Sequence, residues 1–206
     1  MGQNTKVVAI TGASGAIYGL RLIQELLNRG DDVVVLISPS GFLVLGHETD
    51  LRLKGDRFEI EKWLKKYFGR TKGRINYYPA DDISSFLSSG SSFVRDMVVC
   101  PCSMGTLARI SCGISGNLIE RAADVVLKEK GRLILVPRET PFNQIHLENM
   151  LRLSKAGAHI IPAMPGFYHQ PKKVEDLVDF VVGKVLDAMR IENRLYKRWK
   201  HSAIVK

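Results

Sequence analysis

A chain of 206 residues, 45% of them hydrophobic, is long enough to bury one core, and we expect a single domain over residues 1–206. The mean hydropathy is −0.02, and no apolar run approaches the roughly 18 residues of a membrane helix, so no membrane partner is expected. The net charge of +9 calls for anionic partners or serves solubility, but the cations are dispersed and no nucleic-acid-binding motif is present. We therefore expect small phosphate ligands and no nucleic acid.

The three cysteines indicate a reducing compartment rather than a disulfide framework, which predicts a cytoplasmic protein. Two of them form the segment Cys100-Pro101-Cys102. A Cys-x-Cys pair without a second pair or a nearby histidine is a poor metal site. We interpret both as small buried residues.

A glycine-rich turn stands near the start of the chain, in the segment VVAITGASGAIYG of residues 7–19. The apolar run 7–10 favours a buried strand, and residues 11–15 are small and lead into a helix from Ala16. A strand, a glycine turn and a helix N terminus together form an anion site, because free backbone N–H groups point at the ligand.

The spacing of these glycines disfavours NAD as the ligand. The dinucleotide pattern Gly-x-Gly-x-x-Gly requires an acidic residue about 20 residues later, at the end of the second strand. Here Gly12, Gly15 and Gly19 are three and four residues apart, and the second strand ends in Ser38. A phosphate-bearing ligand other than NAD is expected.

Segments of strand length alternate with segments of helix length along the chain. This pattern predicts an α/β fold, Rossmann-like (flavodoxin-like), with a parallel sheet and helices on both faces. The predicted strands are residues 7–10, 33–37, 75–78, 96–101, 133–136 and 160–161. The predicted helices are residues 16–28, 41–48, 58–68, a segment after 103, 118–130, a segment ending near 154, and 174–189. We interpret residues 88–92, Ser-Ser-Gly-Ser-Ser, as a flexible loop.

Polar groups follow the fourth and fifth predicted strands, at the edge where α/β sheets bind ligands. Ser103 begins the turn Ser-Met-Gly-Thr and is either a helix N-cap or a ligand group. Arg138 and Glu139 lie between two prolines in the segment PRETP, which is hard to explain as a spacer. On the helix that Asn117 caps, Arg121 and Lys128 share one face, and taken alone they favour a surface ladder through Asp124.

Taken together, the chain resembles the UbiX/Pad-type flavin prenyltransferases. The resemblance rests on Trp199 and on the segments TGASGAIYGLRL, HETD, CPCSMGTL, NLIERAADVVLKE, LVPRETPF and PGFYHQP, which follow the family's order. It implies transfer of a dimethylallyl group from dimethylallyl monophosphate to N5 and C6 of reduced FMN. The product, prenylated FMN, serves UbiD-type decarboxylases, as in ubiquinone biosynthesis. The family also implies a homo-oligomer, a dodecamer.

The resemblance also assigns site residues. The FMN positions are Gly12, Ala13, Ser14, Ser38, Ser103, Met104, Gly105, Thr106 and Arg138. The residues that the resemblance assigns to the phosphate of the donor are Gly90, Arg121, Lys128, Tyr168 and Lys184. This assignment gives Arg121 and Lys128 a reason to share one face, and it replaces the interpretation of that face as a surface ladder. The resemblance gives the catalytic positions as Ser14, Glu48, Glu139 and Trp199.

The implied chemistry divides among these side chains. Glu139 gives a proton to the leaving phosphate and later removes one from the ring. Glu48 with Ser14 manages the proton of flavin N5, and Trp199 offers an aromatic face to the allyl cation. No Asp-rich motif is present, so no metal is expected. One position departs from the family, because Lys184 stands where arginine is common; the donor is therefore open between mono- and diphosphate.

Two alternatives remain. A flavin-dependent cysteine decarboxylase shares this fold but expects a Pro-Ala-Met-Asn segment, whereas Pro162-Ala163-Met164 continues into Pro165. A flavin-storing or RNA-binding module without catalysis has only the basic charge in its favour, and Glu48 and Glu139 argue against it.

Overall fold

The computed structural model describes residues 5–92 and 94–199, and in this part of the chain six strands form one sheet. The strands are β1 (Thr5–Ile10), β2 (Asp32–Ile37), β3 (Ile75–Pro79), β4 (Asp96–Cys102), β5 (Arg132–Pro137) and β6 (His159–Ile160). Their order is β3-β2-β1-β4-β5-β6, and every neighbouring pair is parallel. The predicted parallel sheet is confirmed. The strand order reverses between β1 and β4, and such a switch point is where open α/β sheets place their ligands.

Helices cover both faces of this sheet, as predicted. They are α1 (Ala16–Arg29), α2 (Pro39–Glu48), α3 (Arg57–Phe68), α4 (Met104–Ser111), α5 (Leu118–Lys128), α6 (Gln144–Lys155) and α7 (Val174–Ala188). Alternate side chains of β1 enter different cores: Val8 packs with α1, α2, α3 and α7, and Val7 packs with α4, α5 and α6. We call these the α1/α7 face and the α5 face. Nothing on α5 shares a core with α7.

The serine-rich segment differs from the prediction of a flexible loop. It contains two 3₁₀ turns, Phe86–Ser88 and Gly90–Ser92. Leu87, in the first of these turns, is buried, and the backbone N–H of Ser89 donates to the carbonyl of Phe86. Because sequence reasoning considered only the small residues, it missed the apolar side chain that anchors the segment.

Cys100 and Cys102 are fully buried in β4, as interpreted from the sequence. Burial raises the pKa of both thiols, that of Cys102 to about 12, so neither is a reactive thiolate at neutral pH. Across residues 5–92 and 94–199 there is no cluster of three His, Cys, Asp or Glu side chains suited to a metal. No helix in those ranges is long and apolar enough to cross a membrane.

Candidate functional site at the carboxyl edge of the sheet

The loops after β1 and β4 are joined by one buried hydroxyl. Thr11 Oγ1 donates to the carbonyl of Pro101 at 2.8 Å and accepts from the backbone N–H of Ser103, also at 2.8 Å. The hydroxyl therefore fixes the glycine turn relative to the start of α4. Sequence reasoning did not single out Thr11. Its position as the first polar residue after a buried strand was the available signal.

The N terminus of α1 is an anion site, but the anion is a side chain of the same chain. Glu48, at the end of α2, accepts from the N–H of Gly15 at 2.8 Å and from that of Ala16 at 2.9 Å. Gly15 has φ 104°, a left-handed conformation that glycine adopts without strain. The sequence predicted that these N–H groups bind a ligand phosphate; in this structure the Glu48 carboxylate accepts from them.

The remaining residues of the glycine turn lie next to the start of α2. Gly12 and Ser14 are exposed, and Ala13 is buried with its N–H donating to the carbonyl of Thr11. Ser38 is the N-cap of α2, where its Oγ accepts from the N–H of Gly41 at 3.0 Å. The Ser38 hydroxyl proton remains available to an acceptor in front of the turn.

The N terminus of α4 leaves backbone donors open. Ser103 is the N-cap of this helix, as the sequence suggested: its Oγ accepts from the N–H of Thr106 and donates to the Thr106 hydroxyl at 3.0 Å. The N–H groups of Met104 and Gly105, the first two helical positions, have no acceptor within the described residues. Because α4 follows β4 at the switch point, these donors are placed where they can bind an anion.

Arg138 joins the loop after β5 to the glycine turn. Its Nε donates to the carbonyl of Ser14 at 3.0 Å, and its backbone N–H donates to the carbonyl of Cys102. The neighbouring Glu139 is half-buried, and its Oε1 accepts from the N–H of Thr140 at 3.0 Å. Within the described ranges no cation lies within salt-bridge distance of Glu139, so Arg138 does not neutralise it. The carboxyl edge thus carries two carboxylates, Glu48 and Glu139, around one set of open backbone donors.

The first group of predicted donor-binding residues lies on the α5 face. Arg121 Nε donates to the carbonyl of Ser88 at 3.1 Å, and its Nη1 lies 3.1 Å from Asp124. Lys128 Nζ lies 3.7 Å from Glu129 and does not complete the ladder to Asp124. Gly90 lies against the end of the Glu129 side chain, since a Cβ at Gly90 would stand 2.1 Å from Glu129 Oε1. The Gly90 turn is thereby close to the end of α5.

The second group lies on the α1/α7 face. The ring of Tyr168 contacts that of Phe180 at a centroid distance of 5.6 Å and that of Trp199 at 5.5 Å, both edge to face. Lys184 Nζ lies 5.2 Å from the ring of Tyr196. Because the sheet separates this group from Arg121 and Lys128, the five residues predicted to bind one phosphate do not meet within one chain.

Asp187 binds the segment after α7, residues 190–199, which carries Trp199 and which we call the tail. Its carboxylate accepts from Asn193 Nδ2 at 2.9 Å, from the hydroxyl of Tyr196 at 2.8 Å and from Arg198 Nη2 at 2.6 Å. Partial burial opposes ionisation, but the hydrogen bonds from Arg198 and Tyr196 prevail and hold the pKa of Asp187 below its ordinary value. Burial and the bond to Asp187 raise the pKa of Tyr196 to about 12. Sequence reasoning missed this network because its members are ordinary surface residue types.

Comparison with known proteins identifies the family. A protein-family model described as Flavoprotein matches residues 1–186. The flavin prenyltransferase UbiX of Halalkalibacterium halodurans is 51% identical over 192 residues, which cover 93% of this chain and 91% of that protein. The chain belongs to the flavin prenyltransferase UbiX family. The resemblance noted in the sequence is therefore confirmed.

Solved structures of UbiX proteins share the fold of this chain. One, AnUbiX (PadA1) in complex with FMN and dimethylallyl pyrophosphate, has a TM-score of 0.85 and 36% identity and covers 97% of this chain and 99% of its own. Another, a dodecameric FMN-dependent UbiX-like decarboxylase from Escherichia coli O157:H7, has a TM-score of 0.82 and 37% identity, covering 95% and 99%. The predicted fold class is thus confirmed within the UbiX family.

The cysteine decarboxylase alternative is only distantly related. The peptidyl-cysteine decarboxylase EpiD is 18% identical with a TM-score of 0.59, which shows a common fold and no more. This chain has Pro165 at the position where a cysteine decarboxylase is expected to have asparagine. The UbiX relationship, at 51% identity, is the one that bears on chemistry.

Proposed function

We propose that this protein transfers a dimethylallyl group from dimethylallyl monophosphate to N5 and C6 of reduced FMN, forming prenylated FMN. The observation that supports this most directly is the carboxyl edge, where the open N–H groups at the start of α4 share one edge with Glu48, at the end of α2, and with Glu139, in the loop after β5. The edge offers a phosphate site and two proton carriers, and both halves of the reaction require these. UbiX relatives at 51% identity make the assignment specific.

The phosphate of FMN binds at α4 rather than at α1 in this proposal. The N–H groups of Met104 and Gly105, with the hydroxyls of Ser103 and Thr106, supply donors without a competing carboxylate. At α1 the Glu48 carboxylate already accepts from the first two N–H groups. Glu48 is then placed beside Ser14, where it can exchange a proton with the flavin ring rather than hold a phosphate.

The donor phosphate binds between two copies of the chain. Arg121 and Lys128 lie on the α5 face, and Tyr168, Lys184 and Trp199 lie on the α1/α7 face, so a second copy must bring the two groups together. We propose a homo-oligomer, a dodecamer like the E. coli UbiX-like protein. Gly90 lies beside Glu129 of the same chain, on the α5 side of the proposed phosphate site.

The leaving phosphate is stabilised by side chains without a metal. Arg121, Lys128 and Lys184 compensate its charge in a site that the second copy closes to water. Glu139 protonates the leaving oxygen and later accepts the ring proton, because no cation among the described residues holds its carboxylate. Trp199 faces the allyl cation, with its ring oriented by Tyr168.

Prenylated FMN is a cofactor for another enzyme, and we propose that a UbiD-type decarboxylase receives it. The reaction then takes place in the cytoplasm, where the three free cysteines of this chain stay reduced.

Mass analysis of the flavin tests the proposed reaction. The protein is incubated anaerobically with reduced FMN and dimethylallyl monophosphate in EDTA, and the mass of the extracted flavin is measured by mass spectrometry. The expected result is a gain of one C5 unit. Dimethylallyl pyrophosphate in a parallel reaction identifies the preferred donor. Recovery of unmodified FMN from a protein that binds FMN, with either donor, would contradict the proposal.

A further inference from the structure

A basic cleft opens at the amino edge of the sheet, opposite the flavin site. Its cavity volume is about 520 Å³, and five cationic side chains line it: Lys6, Arg95, Lys130, Arg132 and Arg190. They come from the starts of β1, β4 and β5 and from the turns that follow α5 and α7. Neither the flavin nor the donor residues lie in this cleft, so its charge serves neither of those ligands.

Carboxylates of the chain neutralise only part of this charge. Asp96, which is buried, pairs with Lys6 at 2.5 Å and with Arg132 at 2.7 Å. Among residues 5–92 and 94–199 no carboxylate lies within 4.0 Å of the charged groups of Arg95, Lys130 or Arg190, all exposed. Three cations therefore converge on the cleft without a partner from the described residues.

The backbone shows that two of these cations occupy strained positions. Lys130 and Arg190 follow α5 and α7 with φ 58° and 59°, whereas α1, α4 and α6 are followed by Gly30, Gly113 and Gly157 with φ 100°, 70° and 102°. In all five turns the N–H of the left-handed residue donates to the carbonyl three residues earlier, and the N–H of the next residue donates to the carbonyl five residues before it. The same turn thus has glycine at this position three times and a cation twice.

Without a ligand, the backbone conformation favours glycine at these two positions. A left-handed conformation is unfavourable for a residue that has a Cβ. The attraction of a cation to a helix C terminus offsets only part of that cost. An anion bound in the cleft adds an interaction with Lys130 and Arg190 that glycine could not make.

We propose that the cleft binds a small ligand carrying two or three phosphate groups. Guanidinium groups bind phosphate through paired N–H donors, and lysine adds a third, mobile charge. Arg95, Lys130 and Arg190 belong to three separate turns, so one phosphate cannot satisfy all of them as well as a chain of phosphates can. The volume lies within the range of small-molecule sites.

Calorimetric titration with inorganic triphosphate tests this proposal at physiological salt. We expect saturable binding of one ligand per chain. The variant Arg95→Gln/Lys130→Gln/Arg190→Gln is expected to bind about 10-fold or more weakly, because each charge-assisted hydrogen bond is worth more than a neutral one. Its affinity for FMN should be unchanged.

A matched variant controls for net charge. Lys54, Arg70 and Lys155 are exposed and lie outside the cleft, so Lys54→Gln/Arg70→Gln/Lys155→Gln removes the same charge and should bind triphosphate within about twofold of wild type. The proposal is overturned if wild type shows no saturable binding, or if both triple variants weaken equally. It is also overturned if Arg121→Ala/Lys184→Ala abolishes binding instead, or if a single-stranded oligonucleotide competes more tightly than triphosphate.

Discussion

The Glu48 carboxylate accepts hydrogen bonds from the N–H of Gly15 through both oxygens, at 3.1 and 2.8 Å. The end of α2 therefore caps the start of α1, and a carboxylate is held beside the glycine turn. The charge of Glu48 also lies at the positive end of the α1 dipole.

Replacing Glu48 with glutamine tests both roles. Glu48→Gln keeps one acceptor oxygen but loses the charge, so the free energy of unfolding should fall by about 0.3–1 kcal/mol. Prenylation of FMN should slow by about 10²-fold, because an amide cannot exchange a proton. Denaturant unfolding and the flavin mass assay measure the two effects. Unchanged turnover would restrict Glu48 to a capping role.

Glu139→Gln is expected to fold and to bind FMN normally, since the Glu139 side chain contacts only the N–H of Thr140 in the described part of the chain. Formation of prenylated FMN should be at least ~10²-fold slower, and an adduct at N5 that has not cyclised should accumulate. Rapid-quench mass spectrometry detects that adduct. Turnover within a few-fold of wild type would transfer the acid–base role to Glu48.

Lys184 distinguishes donor binding from flavin binding. Lys184→Arg should retain activity, because the charge is kept and the guanidinium adds a second donor. Lys184→Ala should raise the KM for dimethylallyl phosphate by about 10-fold or more and leave the affinity for FMN unchanged. Steady-state kinetics and FMN titration separate these parameters. Equal losses for both ligands would place Lys184 outside the donor site.

Asp187 is expected to act through the tail. Asp187→Asn weakens the bonds to Arg198 and Tyr196, so Trp199 should leave Tyr168 and the KM for the donor should rise. Because the pKa of Asp187 is lowered in the folded state, its contribution to stability is present above its ordinary unfolded pKa and is lost as pH falls through the folded pKa.

Fluorescence follows the position of Trp199 in this experiment. A Trp63→Phe background removes the other tryptophan. Because Trp199 is already 60% exposed, its mobility is measured rather than its emission wavelength, and Asp187→Asn should lower its fluorescence anisotropy. Lys173→Gln, at the N-cap of α7, serves as the control. An unchanged anisotropy with an unchanged KM would show that the tail holds its place without Asp187.

The fold was largely predictable because the strands are short apolar runs and the helices between them are amphipathic. The switch-point residues followed from this pattern, since strand ends such as Ser103 and Arg138 must share one edge. The occupant of the α1 terminus was not predictable, because Gly15 and Glu48 are 33 residues apart and meet only through packing. The same holds for Asp187, whose partners belong to an irregular tail.

The separation of the donor residues on two faces of the sheet has a consequence for mixtures of defective chains. Arg121→Ala and Lys184→Ala should each be slow as pure oligomers when the donor is limiting, if a site uses Arg121 from one copy and Lys184 from another. When the two variants are unfolded together and reassembled, about one quarter of the sites should contain both intact residues, because each residue is drawn independently from an equal mixture. Faster prenylation by the mixture than by either parent at limiting donor is the expected result, and a mixture as slow as its parents would mean that each site is built by a single chain.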